Sequence, residues 1–150
     1  RLFQEMREKR GLCYSVSSHW TSLNDGGYLD ISAGLDRRNI DKSLALILTQ
    51  FQNLATKPVG TAELRRAKEY TIGSSLMALE RAASQNARLG GSILSHGRIV
   101  APETVNERIR AVTADEIQAV AREVLNPARI TLALVGPKPD EPLLKKILGI

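Results

Sequence analysis

Residues 6–16 read Met6-Arg7-Glu8-Lys9-Arg10-Gly11-Leu12-Cys13-Tyr14-Ser15-Val16. A charged helical segment precedes Gly11, and an alternating strand follows it. Glycine ends a helix readily because it adopts the left-handed conformation without a Cβ penalty. We therefore predict a helix, a sharp corner at Gly11 and a strand, with Arg7 and Tyr14 on the two sides of the corner. A guanidinium and a phenol held at such a corner suit a site that binds a polarised carbonyl group.

Composition and length restrict the class of protein. With 150 residues, 43% of them hydrophobic and 25% charged, residues 1–150 are interpreted as a single domain of a soluble globular protein. The 21 basic residues are interleaved with 16 acidic ones and form no basic run with aromatic residues, so we expect no nucleic-acid partner. No apolar run approaches the roughly 18 residues of a membrane span, so we expect no membrane partner. These features suit a protein of the bacterial cytoplasm or periplasm, although the sequence does not fix the compartment.

The first half of the chain predicts a hairpin followed by a helix. Leu12–Thr21 and Tyr28–Leu35 alternate as strands, and the Asn-Asp-Gly-Gly sequence at 24–27 is typical of the turn between them. Apolar residues then recur at helical spacing over 40–56, and Asn39 is the predicted N-cap of that helix.

The second half is mostly helical. A helix is predicted over 61–97, bent or split at Gly73 and at the pair Gly90-Gly91. Further helices are predicted from Pro102 and from a capping box at Thr113–Glu116. Asn126-Pro127 should stop the latter helix, and the apolar run Arg129–Val135 predicts a third, buried strand.

Three strands and a larger number of helices predict an α+β domain with two layers. The sheet is expected to be rich in antiparallel pairs, and the helices are expected to pack on one of its faces.

Residues 1–16, Arg1-Leu2-Phe3-Gln4-Glu5 followed by the stretch quoted above, resemble a family segment written SRLFxxxREKRGLxYxV. This segment occurs in the M16 zinc metallopeptidases, which include the pitrilysin, insulin-degrading and mitochondrial-processing peptidases. In that family it belongs to the second, C-terminal domain, which does not hold the zinc. The resemblance continues in the same order through 60–68, 111–117 and 126–136. It implies the M16 peptidase fold, in which each domain starts with a further strand and helix. This chain is therefore interpreted as a fragment truncated at its N-terminus, and an unpaired sheet edge would favour a homodimer.

The resemblance also raises the question of a zinc site, because the family binds zinc through a His-Xaa-Xaa-Glu-His helix. Here the two histidines, His19 and His96, lie on different predicted elements, so we expect no metal ligand and no cofactor in this chain. Zinc is expected in a companion domain or subunit. Cys13 is about 20 Å from His19 along an extended strand, too far for a nucleophile and its base, and is interpreted as a packing residue. No catalytic residue is expected in this chain.

Arg7 and Tyr14 have two interpretations. From the residues alone, Arg7 is an exposed helix charge. Strict alternation places Tyr14 with Leu12 and Val16 on the face that packs against helices, unless a bulge near Gly11 redirects it. The resemblance implies instead that both side chains bind the substrate, because the family's Arg, and the Tyr seven residues after it, hydrogen-bond the backbone carbonyl of the peptide.

The resemblance thus implies the substrate-binding domain of a zinc-dependent metalloendopeptidase. Its partners would be a peptide substrate and an N-terminal zinc-bearing M16 domain or subunit, and the chain alone would be inactive. The alternative within the family is a non-catalytic scaffold or partner subunit. Outside the family, a plain α+β interaction module remains open.

Overall fold

A computed structural model describes residues 1–23, 25–136 and 140–149, without the side chain of Pro127. Contacts divide the chain into two compact units, one made of Arg1–Lys57 and Gln118–Ile150, the other of Pro58–Ile117. Each unit is described by itself. The interpretation of residues 1–150 as one domain stays a prediction.

The first unit begins with a π-helix over Phe3–Glu8, in which Met6 is buried. The chain turns at Gly11, whose φ of +58° lies in the left-handed region that favours glycine. The amide of Leu12 donates to the Met6 carbonyl at 2.8 Å, which joins the start of the strand to the helix. The predicted order of helix, corner and strand is confirmed, with π rather than α geometry. Single π turns occur frequently at functional sites.

Glu5 of this π-helix interacts with two cations that follow it. Lys9 Nζ lies 2.6 Å from Glu5 Oε1, and Arg10 contacts the other carboxylate oxygen. Hydrogen bonds from Lys9 and Arg10 lower the pKa of Glu5 from 4.5 to about 2. The carboxylate is thereby favoured in the segment that carries Arg7.

We expect a pH titration to find the Glu5 midpoint near 2. A depressed pKa means that the contribution of this carboxylate to folding is complete above its unfolded pKa of about 4.5 and disappears as the pH falls through about 2. High salt should move the midpoint upward, because the paired cations Lys9 and Arg10 are exposed to solvent. Side-chain carboxyl NMR shifts between pH 1 and 6 measure it, with Glu5→Gln as the control that identifies the resonance. A midpoint at the ordinary value in dilute buffer would contradict the pairing.

Two antiparallel strands follow, β1 (Cys13–Ser22) and β2 (Gly27–Leu35). Pairing runs from Ser22 opposite Gly27 to Cys13 opposite Leu35, and the register shifts between Cys13 and Ser15. The predicted hairpin is confirmed. Its turn was predicted over 24–27, of which residue 24 lies outside the described residues. The Leu23 amide donates to the Gly26 carbonyl at 2.8 Å.

A 3-10 turn over Arg37–Asn39 leads into helix α1 (Ile40–Thr56). Asn39 is the N-cap residue of α1 and the helix has the predicted bounds, but the side chain makes no cap hydrogen bond: its Nδ2 donates to the Leu12 carbonyl at 3.2 Å. Asp36 accepts the Arg38 amide at 2.9 Å instead. The 3-10 turn starts the helical segment three residues earlier than α1. The carboxylate of Asp36 therefore accepts a hydrogen bond from one of the first free backbone amides of that segment. The side chain of Asn39 instead connects the corner at Gly11 to α1.

Two further helices contribute to the first unit. Helix α6 (Glu141–Leu148) contacts α1 and buries Leu144 and Leu148, which are four residues apart on one helical face. The C-terminal part of α5 (Ala114–Val124) also belongs here, and Arg122 Nε donates to the Ala55 carbonyl at 2.9 Å. As predicted, α5 ends just before Asn126-Pro127.

The predicted third strand is wrong, since residues 130–136 have no strand assignment and the sheet of the described chain contains β1 and β2 alone. A strand requires a neighbour to pair with, and β2 is not hydrogen-bonded to this segment. The α+β class, with helices and a small antiparallel sheet, is confirmed.

The second unit is helical, with α2 (Thr61–Ala78), α3 (Ala82–His96) and α4 (Pro102–Ala111). The predicted breaks at Gly73 and Gly90-Gly91 are wrong, because those glycines lie inside α2 and α3 and the break falls at residues 79–81. A helix tolerates an internal glycine at a cost of about 1 kcal/mol. The break comes instead where Arg81 takes an extended conformation, and Gly97, with φ +66°, ends α3.

Two side chains of this unit donate to backbone carbonyls outside their own helices. Lys68 Nζ donates to the Arg110 carbonyl at 2.6 Å, and Arg88 donates to the Val100 carbonyl at 3.0 Å. The capping box at Thr113–Glu116 is confirmed: the Thr113 amide donates to Glu116 Oε2 at 2.7 Å, and the Glu116 amide donates to Thr113 Oγ1 at 3.2 Å. No helix in the described ranges has the length and apolar character needed to cross a membrane.

Candidate functional site

Tyr14 occupies a β-bulge at the start of β1. Cys13 pairs with Leu35 and Ser15 with Gly34, so Tyr14 is the extra residue that opposes no partner. The bulge reverses the orientation that strict alternation predicted: Cys13 is buried and the Tyr14 side chain is 74% exposed. Bulges redirect side chains in this way next to active sites. The phenol therefore faces solvent, where a ligand can reach its hydroxyl.

A polar cavity of about 480 Å³ lies beside this bulge. It forms where the corner before β1 meets the segment between β2 and α1. The residues that line it are Gly11, Leu12, Cys13, Tyr14, Asp36, Arg38, Asn39 and Lys42. The hydrogen bond from Asn39 to the Leu12 carbonyl holds the two sides together. The cavity is therefore built by the same corner that the sequence singles out.

Two cations and one carboxylate set the charge of this cavity. Arg38 donates to both carboxylate oxygens of Asp36, through Nε and Nη2, each at 3.1 Å. These hydrogen bonds from Arg38 lower the pKa of Asp36. Lys42 is exposed and has no ion-pair partner in the part of the chain that the structure describes. The cavity thus carries a net positive charge, which favours electron-rich oxygens of a ligand.

Arg7 lies on the other side of the corner, in the π-helix. Its guanidinium carbon is 5.0 Å from the centre of the Phe3 ring, a cation–π contact at an exposed position. Arg7 is not among the residues that line the cavity, and no hydrogen bond within the described ranges joins it to Tyr14. The structure therefore shows both side chains exposed on the two sides of Gly11, with no hydrogen bond between them among the described residues.

The other predicted candidates lie elsewhere. Cys13 is a free, buried cysteine, as expected of a packing residue. His19 Nδ1 lies 3.8 Å from Asp30 Oδ2 on the exposed part of the hairpin, and His96 is at the end of α3. Across residues 1–23, 25–136 and 140–149, no group of three His, Cys, Asp or Glu side chains converges as a metal site would require. These residues do not fit a zinc ion.

Sequence reasoning missed Asp36, Arg38 and Lys42. A signal for them was present in the hairpin. Because strand pairing in a hairpin is fixed by its turn, a turn at 24–27 already places the residues just after Leu35 opposite Cys13. Following that register one residue beyond β2 would have placed Asp36 beside Tyr14, with Arg38 two residues further along.

Residues 1–70 match the family model described as the Peptidase M16 inactive domain. An uncharacterized zinc protease of Streptomyces coelicolor is 35% identical over 141 residues, which is 94% of this chain and 30% of that protein. Over these ranges the chain resembles the M16 peptidase family. An uncharacterized zinc protease of Mycobacterium leprae is 33% identical over the whole chain, which corresponds to 34% of its own length. The chain thus spans about a third of the length of these relatives.

Solved structures share the fold of this chain. A chain of complex III from Candida albicans matches 82% of this chain, and 29% of its own, with a TM-score of 0.72 and 18% identity. The inactive peptidase domain of a proposed zinc protease from Bordetella parapertussis matches 86% of this chain and 71% of its own length, with a TM-score of 0.64 and 19% identity. At these identities the likeness shows the fold alone.

Proposed function

We propose that this chain is the substrate-binding domain of a zinc-dependent M16 metalloendopeptidase, which binds the backbone carbonyl of a peptide through Tyr14 and Arg7. The observation that carries the proposal is the bulge that turns Tyr14 out of the helix-packed face to the edge of a positively charged cavity. A phenol fixed by packing alone would be buried. An exposed phenol at the mouth of a cavity is available to a ligand.

The chemistry expected of Tyr14 is hydrogen-bond donation. Its hydroxyl can donate to a carbonyl oxygen, and that bond strengthens as negative charge develops on the oxygen during attack on the amide. The neighbouring cations Arg38 and Lys42 raise the local positive potential and act in the same direction. The polypeptide corner at Gly11 fixes the position of the phenol, so little reorganisation is needed when the charge appears.

Arg7 would supply the second donor. Its cation–π contact with Phe3 holds the aliphatic stem along the π-helix and leaves its N–H groups able to reach a ligand. In this proposal a bound peptide bridges the two sides of the corner, with its carbonyl oxygen shared between the guanidinium and the phenol. The contact between Arg7 and Tyr14 is thus made through the substrate.

Zinc belongs to another part of the peptidase in this proposal, because the described residues of this chain do not fit it. The relatives are named zinc proteases and are about three times longer than this chain, which leaves room for a zinc-bearing domain. This chain contributes peptide binding and orientation. By itself it is expected to hydrolyse nothing.

A non-catalytic scaffold or partner subunit is the second candidate. It is favoured by the placement of Arg7, which lies over Phe3 and outside the cavity lining. A scaffold would still bind the zinc-bearing partner but would add nothing to peptide turnover. The two candidates therefore differ in one measurable property, the effect of this chain on cleavage.

The deciding experiment mixes this chain with the zinc-bearing remainder of its reading frame and measures cleavage of a fluorescence-quenched peptide library. We expect neither part alone to cleave and the mixture to cleave. A zinc-bearing part that is equally active without this chain would contradict the proposal. A stable complex without any cleavage, in the presence of zinc, would instead support the scaffold.

A further inference from the structure

The cavity beside Tyr14 contains a cation that the described part of the chain leaves unpaired. Arg38 neutralises Asp36, because it donates to both carboxylate oxygens through its side chain, each at 3.1 Å. Lys42 lines the same cavity, is exposed and forms no ion pair among the described residues. The positive charge that remains in the cavity therefore lies at Lys42.

Helix α1 fixes the position of this cation. Lys42 lies in the first turn of α1, three residues after Asn39, whose Nδ2 donates to the Leu12 carbonyl at 3.2 Å. That bond joins the start of the helix to the corner that carries Tyr14. A cation in the first turn opposes the helix dipole, so this charge does not stabilise α1. An anion bound beside Lys42 would relieve the repulsion.

Arg38 offers a second donor on the same side of the cavity. It donates to Asp36 through Nε and Nη2, and its Nη1 makes no hydrogen bond among the described residues. Hydrogen bonds from Arg38 to Asp36 contribute most to the raised pKa of Arg38, and the Tyr14 phenol raises it further. The guanidinium and the phenol are therefore within electrostatic range of each other.

These groups suit one class of side chain. A carboxylate accepts hydrogen bonds from ammonium and guanidinium donors, and such charge-assisted bonds are stronger than neutral ones. A cationic side chain would be repelled, and an apolar one would leave the donors of the cavity unsatisfied. In an extended peptide, neighbouring residues are about 3.3 Å apart. A peptide whose carbonyl is bound by Tyr14 can therefore place an adjacent side chain in this cavity of about 480 Å³.

We propose that this site selects peptides with a Glu or Asp residue next to the cleaved bond, and that Lys42, with Arg38 beside it, binds that carboxylate. The inference rests on the proposed binding of the peptide carbonyl by Tyr14 and names the substrate class that the site accepts. Tyr14 binds a group that every peptide has. Lys42 distinguishes between side chains and is thus the specificity-determining residue.

Competition between matched peptides tests the preference. The zinc-loaded polypeptide encoded by the complete reading frame is given a peptide that it cleaves, made with Glu, Gln or Lys at each residue that flanks the cleaved bond. Mass spectrometry follows the peptides in one reaction. At one flanking position we expect the Glu peptide to be consumed about three- to fivefold faster than its Gln counterpart, and the Lys peptide more slowly than both. Added salt should reduce the preference, because Lys42 is exposed.

Four variants identify the residue that is responsible. Lys42→Met removes the charge and keeps the length and helix propensity, so the ratio of Glu to Gln consumption should fall to about one. Lys42→Arg should keep the preference, and Lys42→Glu should shift it toward the Lys peptide. Lys146, exposed in α6 and outside the cavity, is the matched control, and Lys146→Met should leave the ratio unchanged.

The outcomes separate this inference from the proposed function. Equal consumption of the Glu and Gln peptides, or a preference that persists in Lys42→Met, would overturn the role of Lys42. Carbonyl binding would still be supported in that case if Tyr14→Phe slows the cleavage of both peptides equally. Absence of cleavage of every peptide would overturn both proposals.

Discussion

Replacing Tyr14 by phenylalanine in the assembled peptidase is expected to lower peptide turnover by roughly a hundred- to a thousandfold. The change removes one hydroxyl from a side chain that is 74% exposed, so it deletes a donor and leaves the packing of the domain intact. The loss should fall mainly on kcat, because the bond to the carbonyl oxygen is strongest when charge has developed on it. Steady-state kinetics on a single peptide, with melting temperature measured in parallel, separates a loss of catalysis from a loss of folding stability.

The chain offers a matched control in Tyr70, which is 77% exposed in the second unit and lies outside the cavity. Tyr70→Phe should leave both turnover and melting temperature unchanged. Arg7→Ala should lower turnover as Tyr14→Phe does, and Arg7→Lys should recover part of it, since lysine keeps the charge and loses the planar fork. Turnover that is unchanged in both Tyr14→Phe and Arg7→Ala would remove the carbonyl-binding role.

Met6→Ala is expected to lower the free energy of unfolding by about 2–5 kcal/mol. Among residues 1–23, 25–136 and 140–149, Met6 is the largest side chain that is completely buried, at 0% exposure, in the turn that carries Arg7 and leads to Gly11. Truncation removes its apolar contacts and leaves a void that the rigid corner beside it cannot fill. Urea denaturation followed by circular dichroism measures the change.

The second methionine of the chain provides the comparison. Met77 is 66% exposed in α2, so Met77→Ala should change the free energy of unfolding by no more than about 0.5 kcal/mol. Met6→Leu, which keeps most of the volume, should cost less than Met6→Ala. Equal stability of Met6→Ala and Met77→Ala would show that the corner does not depend on the buried thioether.

Local signals predicted the parts of the fold that local interactions hold. Gly11 ends the first helical segment because of its backbone freedom, the hairpin forms at its glycine-rich turn, and the capping box at Thr113–Glu116 forms as its spacing implies. These features depend on residues within a few positions of one another. The interactions that stabilise these features form within short segments and do not depend on contacts with distant residues.

The errors occurred where distant partners decide the outcome. Asn39 stays at the N-cap position, but its side chain does not cap α1 because Nδ2 donates to the Leu12 carbonyl, 27 residues away. Residues 130–136 have the composition of a strand but lack a neighbour to pair with. Gly73 is a different case, since it remains inside the 18-residue helix α2, where one internal glycine costs only about 1 kcal/mol.

The sequence by itself indicated the family that the chain resembles, the corner at Gly11 and the identity of the two proposed substrate-binding residues, because these depend on short, ordered patterns. Only the tertiary structure decided which way Tyr14 faces and what surrounds it. Alternation predicts one face for that side chain, and a single unpaired residue in the ladder reverses it. Asp36, Arg38 and Lys42 reach the same cavity through strand pairing, since a hairpin brings together residues that are more than twenty positions apart.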